Sequence, residues 1–129
     1  YEIWGNGQQE RDFTYVEDIV DGTILAAERI DDMTPINIGT GKRYKMIDVA
    51  NLIFKILNWK PNEVKFDTSK PTGAVSRALD NAKARELMGW SPKFTLEEGL
   101  QKTIQWYLKT HRIEGSINQK ILLENNPSQ

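Results

Sequence analysis

Two arginines could hold an anion. Arg11 follows the turn Gly5-Asn6-Gly7 and is flanked by Asp12 and Phe13; Arg77 ends a long polar stretch that carries Pro71 and Gly73. A planar guanidinium makes bidentate contact with phosphate or carboxylate, and two that converge suit a doubly charged ligand such as a diphosphate. By residue type alone, each arginine is first a solvated or salt-bridged surface group. Lys70, in Ser69-Lys70-Pro71, is a weaker candidate on a polar loop. Trp4 beside Gly5 could stack on a base, but the core is its default place.

Other constellations have ordinary explanations. Gly5-Asn6-Gly7 lacks the third glycine and the preceding strand of a dinucleotide-binding fingerprint, and Gly39-Thr40-Gly41-Lys42 lacks the spacing of a P-loop. Both read as turns. Asp12, Asp18, Asp48 and Asp80 lie near helix starts, where capping is the usual role. Cysteine is absent and His111 is the only histidine, which removes any thiolate site and argues against zinc or a His-based triad. No metal ligand is expected.

These groups need elements to hold them. A helix is predicted over 16–30, with Val16, Ile19, Val20, Thr23, Ile24 and Ala27 on one apolar face and Gly22 marking a close approach. Ile36-Asn37-Ile38 reads as a short buried strand before the Gly39 turn. A second helix is expected from Met46 to Leu57 and a strand at Val64–Phe66. The polar connection 67–79 is longer than most compact-domain loops and so of the kind that carries function. Asp80 is placed as N-cap of a short helix, Ala82 to Met88, stopped by Gly89. Thr95-Leu96-Glu97-Glu98 is a capping box opening a last helix to about Arg112.

The sum is a small α+β domain, residues 1–112, with about four helices and short strands. A tail, 113–129, is expected to be disordered or a short helix. With 129 residues the chain holds about one domain. Its 17 basic and 18 acidic residues give a net charge of -1, against a nucleic-acid binder that works by bulk electrostatics. No apolar run nears the ~20 residues of a membrane span. The lack of cysteine fits a reducing compartment, so the expected location is cytoplasmic. The start at Tyr1-Glu2-Ile3-Trp4-Gly5 reads as mid-domain sequence, and the expectation is a piece of a longer protein.

Three ordered landmarks resemble one family. They are Trp4-Gly5-Asn6-Gly7 through Arg11-Asp12-Phe13-Thr14-Tyr15-Val16-Glu17-Asp18; Asn37-Ile38-Gly39-Thr40-Gly41; and Arg77-Ala78-Leu79-Asp80 through Gly89-Trp90 and Pro92. Together they are similar to the substrate-binding, C-terminal part of the extended short-chain dehydrogenase/reductases, the NAD-dependent epimerase/dehydratase family. Ile3-Trp4-Gly5, Phe66 through Gly73 and Gln105-Trp106-Tyr107 look most like its GDP-L-fucose synthase branch. Arg11-Asp12-Phe13 is closer to the general epimerase and dehydratase wording, so a UDP-sugar 4-epimerase or a 4,6-dehydratase is the alternative. A non-catalytic sugar-nucleotide-binding or assembly module is the rival of another class.

The resemblance implies that Arg11 grips the diphosphate of a nucleotide sugar, with Arg77 beside the diphosphate or ribose and Trp4 and Lys70 near the nucleotide. It implies NAD or NADP in the full-length enzyme, held by an N-terminal Rossmann part that also carries a Tyr-x-x-x-Lys pair. Here Tyr1, Tyr15, Tyr44 and Tyr107 are followed four positions on by Gly5, Ile19, Asp48 and His111. Neither a catalytic nor a cofactor-binding residue is therefore expected in this chain, which alone should be inactive. The expected partners are the nucleotide sugar, the missing Rossmann part and, for the full-length enzyme, a second copy in a homodimer.

Overall fold

The computed structural model describes residues 1–111. The predicted tail, 113–129, lies outside the described residues. Strand β1 (Glu2–Trp4) pairs in parallel with β4 (Lys65–Asp67), Ile3 opposite Phe66. Strand β2 (Glu10–Arg11) pairs antiparallel with β3 (Tyr44–Lys45), Arg11 opposite Tyr44. Four helices complete the described fold: α1 (Val16–Arg29), α2 (Met46–Ile56), α3 (Ala82–Met88) and α4 (Leu96–Thr110). The α+β class with four helices and short strands is as expected.

Two small cores hold these elements. Ile3 of β1 packs with Ala50 and Phe54 of α2, flanked by Ile47 and Val64. Edge-to-face contacts with Tyr1 and Trp59 fix the Phe54 ring. The second core joins Ala84, Met88 and Trp90 to Leu25, Ala26 and Ile30 of α1 and to Ile36 and Ile38. Helix α3 ends on Gly89 at φ 65°, a left-handed turn that favours glycine, and Trp90 N donates back to Ala84 O at 3.1 Å. That closure delivers the Trp90 ring to the core. The Thr95–Glu98 capping box opens α4 as predicted.

Helix α1 is amphipathic, but its buried side is not the one the periodicity singles out. Val16, Val20 and Ile24, spaced by four, are 61%, 48% and 55% exposed. The core side carries Asp18, Gly22, Leu25 and Ala26 instead. Gly22 decides this: a Cβ there would stand 2.8 Å from Ile38 Cγ2 and 2.9 Å from Trp90 Nε1. The close approach inferred at Gly22 is therefore present, and its partner is the second core. The predicted strand at Ile36–Ile38 joins no ladder among the described residues; those side chains serve as core packing for α1.

Two predicted caps have other duties. Asp18 is 1% exposed and accepts from Lys93 N at 2.9 Å and Phe94 N at 3.2 Å, pinning the approach to α4 against α1. The N-cap position of α1 is Tyr15, without a side-chain capping bond. The N-cap of α3 is Asn81 rather than Asp80; Asp80 accepts from Ala82 N, while Asn81 donates across to Gly39 O at 2.8 Å. Asp18 sits near a helix start but is taken by tertiary partners, whereas Asp80 keeps a local bond one position before the cap.

Candidate functional site

Arg11 stands at the end of β2, next to the long connection. The backbone of that connection runs back along β2: Glu10 N donates to Val75 O at 2.9 Å, and Arg77 N donates to Glu10 O at 3.2 Å. Ser76 Oγ adds a bond to Glu10 Oε2 at 2.7 Å. This return brings Arg77 beside Arg11, and the two line one hollow of about 380 Å³ with Asp12, Thr14, Ile19 and Ile38. The residues singled out from sequence as a convergent pair do share one concave surface.

The Arg11 guanidinium is already partly engaged. Its Nη1 donates to Glu10 O at 2.6 Å and Ala74 O at 2.7 Å, and its Nη2 to Thr72 O at 2.6 Å. Three of its five N–H groups are therefore spent, two of them on the 72–74 stretch and one on its own strand, and two remain for a ligand. Among the described residues Arg77 is exposed and its side chain has neither a hydrogen bond nor an ion pair. One arginine is thus anchored and the other is held by its backbone alone.

Trp4 and Lys70 meet on the far side of the same connection. The Lys70 ammonium lies 5.9 Å from the Trp4 ring centroid, within cation–π reach. Trp4 is 52% exposed, so the core default for this side chain is wrong. Parallel pairing of β1 with β4 turns Ile3 inward and Trp4 outward. The connection from Lys70 through Thr72 to Ala74 then spans the space between Trp4 and Arg11.

Gly5-Asn6-Gly7 does follow a strand, β1, contrary to the sequence reading. It still offers no cradle for a pyrophosphate. The Thr72 methyl occupies the space over Gly5, and Phe66 and Ile47 lie 2.9 and 3.1 Å from where a Gly7 Cβ would stand. A dinucleotide does not fit this turn. Among the described residues no cluster of three acidic or histidine side chains is placed to hold a metal. His111 caps α4, its ring stacked 4.1 Å from Tyr107.

The residue that local reading missed is Asp12. Its carboxylate accepts from Thr40 N at 3.2 Å, from the Thr40 hydroxyl, from Gly41 N at 2.9 Å and from Leu79 N at 3.3 Å. Partial burial pushes this carboxyl up, but the bonds from Thr40, Gly41 and Leu79 outweigh it and hold the pKa below the usual carboxylate value. Besides the nearby Thr14 hydroxyl, at 3.3 Å, its partners lie 28, 29 and 67 positions away in sequence, beyond any local pattern.

Comparison with known proteins gives the family. Residues 1–103 match the family model described as GDP-mannose 4,6 dehydratase. The chain belongs to this family. Among relatives of this family member is a probable GDP-L-fucose synthase 1 of Oryza sativa subsp. japonica. It is 32% identical over 107 residues, 83% of this chain and 32% of that protein. The solved UDP-glucose 4-epimerase of Thermotoga maritima, with UDP-glucose, matches at TM-score 0.79 and 34% identity, over 85% of this chain and 35% of that one. The UDP-glucuronic acid 4-epimerase of Bacillus cereus, with UDP-glucuronic acid and NAD, matches at TM-score 0.74 and 31% identity, over 84% and 35%. The chain spans about a third of the length of the curated relatives it matches. The epimerase/dehydratase resemblance drawn from the three landmarks therefore holds. Among the described residues, no helix of this family member is long and apolar enough to cross a membrane.

Proposed function

We propose that this chain is the C-terminal, substrate-binding third of an NAD(P)-dependent nucleotide-sugar epimerase/reductase, of the GDP-L-fucose synthase kind. The observation that carries the reading is Arg11 and Arg77 on one hollow. Two guanidinium groups there would neutralise a diphosphate, Arg11 with its two unspent N–H groups and Arg77 with its whole fork. Trp4 and Lys70, across the 70–74 connection, would meet the nucleoside end of the same ligand. Their exposure suits stacking on a base rather than filling a core.

The contribution of these residues is binding and orientation. A fixed diphosphate holds the sugar carbon in place for reaction, and orientation of this kind is worth several kcal/mol of barrier. The NAD or NADP that the full-length enzyme would use is not held by the Gly5–Gly7 turn, whose space is filled. Redox chemistry and proton transfer fall, on this reading, to the part of the parent protein outside these residues.

Turnover of the full-length protein with GDP- and UDP-sugars tests the substrate. The expected result is stoichiometric NADPH consumption with a GDP-4-keto-6-deoxy sugar. The match to an epimerase solved with UDP-glucose supports a second reading, redox-neutral 4-epimerisation of a UDP-sugar. Interconversion of UDP-sugars without net NADPH loss would establish it in place of the first.

A further inference from the structure

Asp12 adjoins Arg11 in the chain, yet the two do not pair. The ion pairs among the described residues join Lys55 to Glu97, Lys65 to Glu63 and Lys93 to Asp21. Asp12 accepts instead from the Gly39–Gly41 turn and from Leu79, two residues beyond Arg77. One carboxylate therefore ties three segments to a common point: the end of β2 that bears Arg11, the turn, and the segment that bears Arg77. The junction is tight, because a Cβ on Gly39 would stand 2.8 Å from Leu79 Cδ1 and 3.1 Å from Asp12 Oδ2.

Two consequences follow. The span between Arg11 and Arg77 is set by two ties, the return of 75–77 along β2 and the bonds converging on Asp12, since the Arg77 side chain has no anchor of its own among the described residues. The Asp12 charge is spent on N–H and O–H donors, so it does not neutralise either guanidinium. A carboxylate paired directly with Arg11 would cancel the charge that a diphosphate needs.

We propose that Asp12 is a positioning residue for the anion site: together with the β2 return it fixes the Arg11–Arg77 span while leaving both guanidinium charges free for the ligand. This rests on the diphosphate reading above. Its role is indirect, through the two arginines.

The test is steady-state kinetics on the full-length protein. Asp12→Asn keeps the shape but sets an NH2 group against backbone donors. It should raise KM for the nucleotide sugar about tenfold and leave KM for the dinucleotide within about twofold. On an Arg11→Ala/Arg77→Ala background the same change should add less than about twofold, because the span then positions nothing. Equal rises in both KM values, full additivity on that background, or no effect of Asp12→Asn would each overturn the proposal. If Arg11→Ala raises KM while Asp12→Asn is silent, the diphosphate reading stands and only the role of Asp12 fails. If Arg11→Ala is itself silent, both fail. Should Asp12→Asn not fold, Thr40→Val removes one hydroxyl donor to Asp12 and should raise the nucleotide-sugar KM about threefold; a silent Thr40→Val would then overturn the proposal.

Discussion

Gly22→Ala sets two known effects against each other. In an isolated helix the change gains about 1 kcal/mol, because glycine is the poorer helix former. In α1 the new methyl would stand 2.8 Å from Ile38 Cγ2, 2.9 Å from Trp90 Nε1 and 3.1 Å from Trp90 Cε2. None of these atoms is the free end of a flexible chain. Ile38 is β-branched and stiff at χ1, and the Trp90 ring is buried with its N–H bonded to Asp18 O at 3.2 Å. Overpacking of this kind costs about 1–3 kcal/mol, and rigid neighbours put the cost in the upper half of that range. The net expectation is a loss of about 1–2 kcal/mol, or about 4–8 °C in Tm. Urea denaturation followed by Trp fluorescence measures it, with Ala27→Gly on the exposed side of α1 as a control that should cost about 1 kcal/mol. A Gly22→Ala chain more stable than wild type would refute the packing of α1 on Ile38 and Trp90. The consequence reaches the site, because Ile38 leads directly into the turn that donates to Asp12.

Other expectations follow from the same contacts. Asp18→Ala orphans Lys93 N and Phe94 N beneath α1 and should cost about 3 kcal/mol in denaturation, whereas Asp18→Asn keeps one acceptor and should cost about half as much. Asp12 has a folded pKa below its unfolded value, so its stabilising share is present above about pH 4 and is lost as pH falls through the folded pKa. Asp12→Asn should therefore lower stability at neutral pH and flatten the acid limb of the stability–pH curve, read from urea midpoints; a wild-type slope in the variant would contradict this. The Val16, Val20 and Ile24 stripe should make the 129-residue chain self-associate, and Val20→Lys with Ile24→Lys should reduce the sedimentation-averaged mass at equal stability.

Local signals in the sequence located the helices well. The Thr95–Glu98 capping box, the Gly89 stop and the run from Met46 each sit within a residue or two of the structure, because capping and helical periodicity act over a single turn. The misreadings have one cause, which is tertiary geometry overriding local pattern. The apolar face of α1 was assigned from spacing, yet a glycine small enough to admit Trp90 turned the other side inward. Asp18 and Asp80 sit where caps sit, but Asp18 was recruited by the Lys93 and Phe94 amides. The core is the default place for Trp4 by residue type, but the register of β1 against β4 turns it out beside Lys70. The convergence of Arg11 on Arg77 was legible only as a possibility of charge, since the return of 75–77 along β2 brings it about. Asp12 was invisible as a hub because, Thr14 apart, its partners are distant in sequence.

The central claim is that Arg11 and Arg77 together grip the diphosphate of a nucleotide sugar. The direct measurement is KM for the nucleotide sugar in the full-length protein, wild type against Arg11→Ala and Arg77→Ala, with KM for the dinucleotide taken alongside. Each variant should raise the first by about tenfold or more and leave the second without comparable change. A nucleotide-sugar KM left at the wild-type value by both substitutions would contradict it.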